Sequence, residues 1–330
     1  MNYEKYAIAD LHLHLDGSLS AKAIIEVAKK ENLTLPTYDE TELSKYLEVP
    51  ENCESLNEYL KRFDLPNIAL QSEYGINHCT LDLLKRLSED GLKYAEIRMA
   101  PQLSTLKGLS QEDVVRIMIA SLKAGEQKYG IRSNLIVCMM RGTNTHKKNF
   151  ETIEIAKKYY DDKVVALDIA GAEALFPNEL FEKEFALIKK YGFNLTIHAG
   201  EAAGAKSVES ALNFKADRIG HGIHAIEDKN VVELLKLSGI CLEICPKSNL
   251  DTKAIKSYNE LPIREFMKAG VKISINSDDM TVSNTSVKKE YETLSKLGFT
   301  ENELKELCLN TIQYSFADND TKEYLKKFIL

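Results

Sequence analysis

The chain has 330 residues, of which 44% are hydrophobic and 28% are charged, and its formal net charge is −7 at pH 7. This composition is typical of a globular protein with a sizeable core, and the acidic balance argues against binding to nucleic-acid backbones, because phosphates attract basic surfaces. No apolar run reaches the ~18 residues that a membrane-spanning helix needs, and residues 1–9 lack the apolar centre of a signal peptide, so we expect no membrane association and a cytoplasmic location.

Short runs rich in Ile, Val, Leu and Tyr alternate along the chain with longer amphipathic stretches. Helical periodicity is clear in residues 179–191 and 228–238, and Gly192, Gly239 and Gly270 stand where helices are expected to end. Eight of the runs have the length and composition of buried parallel strands. They are residues 6–13, 93–99, 133–140, 164–169, 194–198, 218–221, 240–244 and 272–276.

Eight strands alternating with helices predict an α/β fold, specifically a (β/α)8 barrel of the TIM type. The alternative is an open doubly wound sheet, which usually carries a glycine-rich phosphate-binding turn, but neither GxGxxG nor GxxxxGK[ST] occurs. Residues 20–91, between the first two strands, are too many for one crossover helix. We therefore expect extra helices there, covering the C-terminal mouth of the barrel as a helical lid.

The six cysteines are scattered and form neither a CxxC pair nor a compact disulfide framework. Unpaired cysteines in a core behave as small apolar side chains. We therefore expect buried thiols at Cys53, Cys79, Cys138, Cys241, Cys245 and Cys308.

Polar residues cluster at the predicted C-terminal ends of the strands, where barrel enzymes carry their reactive groups. His12 and His14 are two residues apart on the first strand, so both side chains point to the same face. A lone His-x-His is equally well explained as two polar strand residues, but His198 and Asp278 also fall at strand ends. Three imidazoles and one carboxylate form a plausible zinc cage. Length alone allows about two domains, but residues 12 and 278 would have to meet at one ion, which favours a single domain over residues 1–330.

Six segments together resemble the zinc-dependent adenosine deaminase family of the amidohydrolase superfamily. They occur in the family's order and extend over nearly the whole chain. That family has a (β/α)8 barrel, in agreement with the strand count. The segments are His12-Leu-His14-Leu-Asp16-Gly17, Asp168-Ile-Ala-Gly171, His198-Ala-Gly-Glu201, Arg218-Ile-Gly-His221-Gly222, Cys245-Pro-Lys-Ser-Asn249 and Ser274-Ile-Asn-Ser-Asp278-Asp279.

The resemblance implies a metal centre and three catalytic residues. The implied ligands of one zinc ion per chain are His12, His14, His198 and Asp278. Glu201 would be the proton donor to the purine ring, and His221 would orient the metal-bound hydroxide. Asp278 would also help to move the proton of that hydroxide to the departing ammonia. For Glu201 to carry a proton near neutral pH its pKa must be raised, which burial would favour.

The resemblance also implies substrate contacts. Gly171, through its backbone, and Asp279, through its side chain, would contact ring nitrogens, while Asp16 would accept a hydrogen bond from the ribose 5′-hydroxyl. His14 would face the substrate as well as the metal. Two positions depart from the family's pattern: Met280 stands where proline is frequent, and Ala172 where a polar or acidic residue is common. Both changes are expected to affect loop shape around the base.

Residues 55–63 resemble the family's substrate-covering helix. Leu56, Tyr59, Leu60 and Phe63 recur at helical spacing, so they form one apolar face. Periodicity alone would favour a core-packing stripe. The resemblance favours a cover over the substrate.

The implied activity is hydrolytic deamination of adenosine and 2′-deoxyadenosine to inosine and 2′-deoxyinosine, with release of ammonia, in purine salvage. The alternative is a related aminohydrolase acting on adenine or on a modified purine nucleoside; Asp16 favours a nucleoside because a free base has no ribose. A further alternative is a barrel that binds a metal without catalysis. Such a protein would usually have lost Glu201 or His221, and both residues are present here. Deaminases of bases in nucleic acids carry HxE and PCxxC motifs, and the order Cys245-Pro246 does not match them. The expected partner is a neutral purine nucleoside, and the oligomeric state stays open.

Overall fold

Eight parallel strands form the centre of the computed structural model, which describes residues 3–329. Each lies within three residues of its predicted position, and nearly all of their side chains are buried. Such runs of Ile, Val, Leu and Ala suit strands that are covered on both faces. The strands are β1 (Ala9–His14), β2 (Tyr94–Met99), β3 (Arg132–Met140), β4 (Val164–Ala170), β5 (Thr196–Ala199), β6 (Arg218–His221), β7 (Cys241–Ile244) and β8 (Lys272–Ile275).

At two junctions of the barrel, the hydrogen-bonded pairing between neighbouring strands is reduced to a single bridge. Strands β1 to β4 pair in sequence order, as do β5 to β8, and the bridge between Leu167 and Leu195 joins the two groups. At the other junction the N–H of His14 donates to the carbonyl of Asp278 at 2.8 Å, and the N–H of Asp278 donates to the carbonyl of His12 at 2.8 Å. The predicted (β/α)8 barrel is confirmed, and its closure brings the polar residues of the first and last strands together.

Fifteen α-helices are present among residues 3–329, and the glycines predicted to end helices do so. Gly192, Gly239 and Gly270 have φ of 75°, 67° and 86°, the left-handed conformation that ends helices at little steric cost. The helices that follow the strands are α5 (Glu73–Glu89), α6 (Gln111–Tyr129), α7 (His146–Tyr159), α8 (Glu182–Tyr191), α9 (Ala205–Asn213), α10 (Lys229–Ser238), α11 (Pro246–Asp251), α12 (Ile263–Ala269), α13 (Val287–Lys296), α14 (Glu301–Tyr314) and α15 (Asn319–Lys326).

The long segment between β1 and β2 has two parts. Its last helix, α5, packs against α6 and belongs to the outer ring. The preceding helices are α1 (Ala21–Glu31), α2 (Glu40–Leu47), α3 (Leu56–Tyr59) and α4 (Asp64–Ala69). The predicted covering helix is not one regular helix: Ser55 caps α3, which continues as a 3-10 turn, Leu60–Phe63, before α4 begins.

The apolar side chains of the strands and the surrounding helices form one continuous core. All six cysteines are buried and unpaired, as predicted. No helix within residues 3–329 has both the length and the apolar character required to cross a bilayer.

Candidate active site

Four side chains converge at the mouth of the barrel, at the ends of β1, β5 and β8. Their donor atoms all lie within 4.8 Å of one another: His12, His14, His198 and Asp278. His14 Nε2 is 3.2 Å from His198 Nε2, and His12 Nε2 is 3.2 Å from Asp278 Oδ1 without making a hydrogen bond. A buried ring nitrogen without a hydrogen bond, close to other lone pairs, is costly unless a cation lies between them. The arrangement therefore fits a divalent metal ion.

Beneath the cluster, a network of buried charges holds two of the imidazoles. His12 Nδ1 lies 2.7 Å from Glu243 Oε2, and His198 Nδ1 lies 3.0 Å from Asp168 Oδ1. Arg98 bridges the two carboxylates, donating to Asp168 Oδ2 and to Glu243 Oε2 at 2.9 Å each. Such carboxylate partners fix the orientation and the tautomer of metal-binding imidazoles. No sequence motif marks a role for these residues; the only signal in the sequence is that Arg98 and Glu243 are charged residues inside buried strands.

His221 and Asp278 have unusual backbones. Their φ angles are 60° and 63°, and non-glycine residues in this left-handed region are uncommon and concentrate at functional sites. Asn249 Nδ2 donates to His221 Nδ1 at 3.0 Å, and burial lowers the pKa of His221 well below its usual value. The neutral ring therefore carries its proton on Nε2, which lies 3.7 Å from Asp278 Oδ2 and 3.5 Å from Glu201 Oε2.

Glu201 is a buried carboxyl on the loop that follows β5, with 6% of its surface exposed. Its Oε1 accepts a hydrogen bond from Thr252 Oγ1 at 3.1 Å. Burial, followed by the negative charges of Asp278 and Glu173, raises its pKa well above the usual value. The raised pKa favours the protonated form of the side chain, the form in which a carboxyl group can donate a proton.

The loop that carries Glu201 is held by a residue that the sequence analysis did not single out. Glu173, two residues beyond Gly171, accepts hydrogen bonds from the backbone N–H groups of residues 200–203 and from Ser207. The resemblance stopped at Gly171, and an acidic residue in a loop has no local pattern that marks it as buried.

A cavity of about 240 Å³ lies above these groups. Every predicted site residue except His12 lines it; His12 is fully buried behind the wall. The cavity-lining members of the predicted set are His14, Asp16, Leu56, Tyr59, Leu60, Phe63, Gly171, His198, Glu201, His221, Asp278 and Asp279. The residues of α3 and of the 3-10 turn therefore lie over the cavity, although the segment is not a continuous helix. Further lining residues that the sequence did not indicate include Asn67, Leu103, Cys138 and Met140.

Asp279 lies in the same wall and is poised to contact a ligand. Its Oδ1 is buried and has no hydrogen-bond partner among the described residues, while its Oδ2 accepts from the hydroxyl of Tyr59 at 2.9 Å. Burial, followed by the charges of Asp278 and Asp16, raises its pKa well above the usual value. Gly17 makes room for it, because a Cβ at that position would lie 1.6 Å from Asp279 Oδ1.

Comparison with known proteins agrees with this geometry. The adenosine deaminase family model matches residues 8–329. An adenosine deaminase of Haemophilus ducreyi is 45% identical over 97% of this chain and 95% of the relative, and one of Clostridium botulinum strain Okra is 41% identical over 100% and 98%. The crystal structure of an adenine deaminase from Arthrobacter aurescens has a TM-score of 0.90 at 28% identity, covering 98% of both chains. The chain belongs to the adenosine deaminase family.

Proposed function

We propose that the protein is a hydrolase that deaminates adenosine and 2′-deoxyadenosine. Water replaces the amino group at C6 of the purine, and the products are inosine or 2′-deoxyinosine and ammonia. The observation that carries this proposal is the convergence of three imidazoles and a carboxylate beside Glu201, a buried acid, in one covered cavity. Full-length similarity to adenosine deaminases supports the same reaction.

We infer that the metal is one zinc ion per chain, held by His12, His14, His198 and Asp278. Three nitrogen donors and one carboxylate oxygen are ligand types that suit zinc, and these four side chains would hold the ion. The chemistry that zinc supplies when bound is activation of water near neutral pH. Elemental analysis of the purified protein tests this assignment. Removal of the metal with a chelator, followed by readdition of single metals, tests it further.

The side chains of the protein supply the remaining chemistry. Glu201 gives its proton to a nitrogen of the purine ring as oxygen adds at C6, so negative charge does not build up on the ring. The Nε2–H of His221 orients the attacking oxygen, and Asp278 accepts a proton that goes on to the leaving ammonia. Leu56, with the other residues of the cover, excludes bulk water from the ring.

Substrate binding rests on three further residues. Asp279 and the backbone of Gly171 would hold the ring nitrogens, and Asp16 would accept a hydrogen bond from the 5′-hydroxyl of the ribose. Asp16 and Gly171 both line the cavity, and burial raises the pKa of Asp16 to about 6. A carboxylate at this position has a partner in a nucleoside but none in free adenine.

Charge favours nucleosides over nucleotides. The described residues that line the cavity include five carboxyl groups, at Asp16, Asp64, Glu201, Asp278 and Asp279, and no lysine or arginine. A 5′-phosphate placed there would find no lysine or arginine to pair with and would be repelled by those carboxyl groups that are ionised. We therefore expect AMP to be a poor substrate.

A substrate panel of adenosine, 2′-deoxyadenosine, adenine and AMP, with and without a chelator, tests the proposed function. Turnover of both nucleosides, lost on chelation and restored by zinc, is the expected result. Preferential turnover of adenine would support instead the related activity carried by the Arthrobacter aurescens neighbour. No turnover of adenosine by protein with stoichiometric zinc would overturn the proposal.

A further inference from the structure

We propose that Glu173 is a positioning residue for the deamination: its buried carboxylate fixes the loop of residues 200–203, which carries Glu201, and its charge acts on Glu201 through space. The inference rests on the proposed function, because it concerns how the proton donor of that reaction is held. Glu173 touches neither the cavity of about 240 Å³ nor the metal cluster.

Five hydrogen bonds saturate the carboxylate. Oε1 accepts from the N–H of Gly200 at 2.6 Å and from Ser207 Oγ at 2.5 Å. Oε2 accepts from the N–H groups of Glu201, Ala202 and Ala203 at 3.1, 2.8 and 3.1 Å. Only 2% of the surface of Glu173 is exposed. A side chain that only accepts hydrogen bonds is in its anionic form, so the structure places a negative charge beneath the loop.

Apart from Glu173, His224 holds the start of the loop: its N–H donates to the carbonyl of Gly200 at 3.1 Å, and its Nδ1 lies 3.1 Å from the same oxygen. The loop leaves β5 through Gly200, whose φ is 73°, and it reaches α9 within a few residues. Four consecutive N–H groups point to one carboxylate, and removal of that acceptor would leave buried donors unpaired. The loop would then rearrange, and Glu201 would move away from Thr252 and His221. Proton transfer is sensitive to displacements of this kind.

The charge of Glu173 acts in the same direction as the burial of Glu201. Asp278, Glu173 and His12 act on the charge of Glu201, His221 Nε2 lies 3.5 Å from its Oε2, and Thr252 donates a hydrogen bond to it. Glu54, His224 and Lys253 line a second cavity together with Glu201 and Glu173. The negative charges of Asp278 and Glu173 both raise the pKa of Glu201, and the hydrogen bond from Thr252 lowers it. Removing the charge of Glu173 therefore lowers the pKa of Glu201, and the acid form is lost at a lower pH.

The alternative is a purely structural role, in which Glu173 only satisfies the buried N–H groups of the loop between β5 and α9. The two roles differ in their kinetic consequences. A structural role lowers thermal stability and the yield of active protein, but leaves the pH profile of the remaining active protein unchanged. A positioning role changes kcat more than KM and shifts the alkaline limb of the profile.

The test compares Glu173→Gln and Glu173→Asp with the wild type, using adenosine from pH 5 to pH 10, with zinc content and melting temperature measured in parallel. Glu173→Gln is expected to lower kcat at least about tenfold, to change KM less than about threefold, and to move the alkaline limb down by about half to one pH unit. Glu173→Asp, which keeps the charge but retracts it, is expected to lower kcat with a smaller shift of the limb.

The matched control is Glu184→Gln. Glu184 is fully buried, and its Oε1 lies 2.6 Å from His146 Nδ1, away from the cavity. The alkaline limb of the pH profile of this variant should therefore coincide with that of the wild type. A Glu173→Gln enzyme with the wild-type limb, or failure of both Glu173 variants to fold, would overturn the positioning role. An inactive wild type would instead contradict the proposed function.

Discussion

The hydroxyl of Tyr59 donates a hydrogen bond to Asp279 Oδ2 at 2.9 Å and lies 2.8 Å from Ser283 Oγ. The sequence predicted Tyr59 as one residue of an apolar face, and its ring does line the cavity. Its polar end, however, joins the cover to the loop after β8. Val49 strengthens this connection, because its N–H donates to the carbonyl of Val282 at 2.8 Å. The position of the cover is therefore coupled to the carboxyl group proposed to read the base.

Replacement of Tyr59 by phenylalanine is expected to raise the KM for adenosine by about five- to thirtyfold with a smaller change in kcat. The loss of one hydrogen bond to a buried carboxyl is worth roughly 1–2 kcal/mol, and it acts on substrate binding. Steady-state kinetics measures the effect. Tyr46→Phe, on the exposed side of the same segment, is the control. An unchanged KM in Tyr59→Phe would mean that the coupling has no role in binding.

Replacement of Glu201 by glutamine is expected to leave zinc content intact and to lower kcat by about 10²- to 10⁴-fold. Glutamine keeps the shape of the side chain but cannot give a proton to the ring. Activity assays and metal analysis on the same preparation separate a loss of kcat from a loss of zinc. Wild-type turnover in this variant would show that another group is the acid.

Replacement of Glu243 by glutamine is expected to weaken zinc binding by about 10- to 100-fold, because His12 loses the carboxylate that orients its ring. Competition with a chromophoric chelator measures the affinity without relying on activity. The buried guanidinium of Arg98 also loses one of its two ion-pair partners, so a lower melting temperature is expected as well. Glu184→Gln is the control for loss of a buried carboxylate elsewhere in the protein. Equal zinc affinity in the Glu243 and Glu184 variants would contradict the role of Glu243.

The sequence was sufficient for the parts of the molecule that depend on local pattern. Burial of whole strands gives continuous apolar runs, and polar residues at the ends of those runs are visible directly, as with His198 and Asp278. In a closed parallel barrel such ends must meet, so the grouping of the site follows from the strand count. The predicted fold is confirmed in this way.

The features that could not be predicted from the sequence are contacts between distant segments, because such contacts leave no periodic pattern in the chain. Arg98, Glu243 and Glu173 act through partners that lie 25 or more residues away. Spacing likewise placed Tyr59 on an apolar face and could not show that its hydroxyl meets a carboxyl group in the loop after the last strand. The covering segment was expected as one helix because apolar spacing does not distinguish an α-helix from a short helix followed by a 3-10 turn.

Glu290 on α13 provides a test of stability against pH that does not involve the metal cluster. The side chain is buried, Thr285 Oγ1 donates to its Oε1 at 2.6 Å, and burial raises its pKa from 4.5 to about 8. Between these values the unfolded chain releases a proton that the folded chain keeps, so stability present below about pH 4.5 is lost progressively up to about pH 8.

Glu290→Gln removes this loss, so the variant is expected to gain stability relative to the wild type as the pH rises from 5 to 8. The gain should be on the order of a few kcal/mol, which thermal melts of both proteins at each pH would register as several degrees. Lys247 and Asp251, whose charges act on Glu290, are present in both proteins, so their own titration largely cancels in the comparison. A difference between the two melting temperatures that does not change with pH would show that Glu290 is not held in its neutral form.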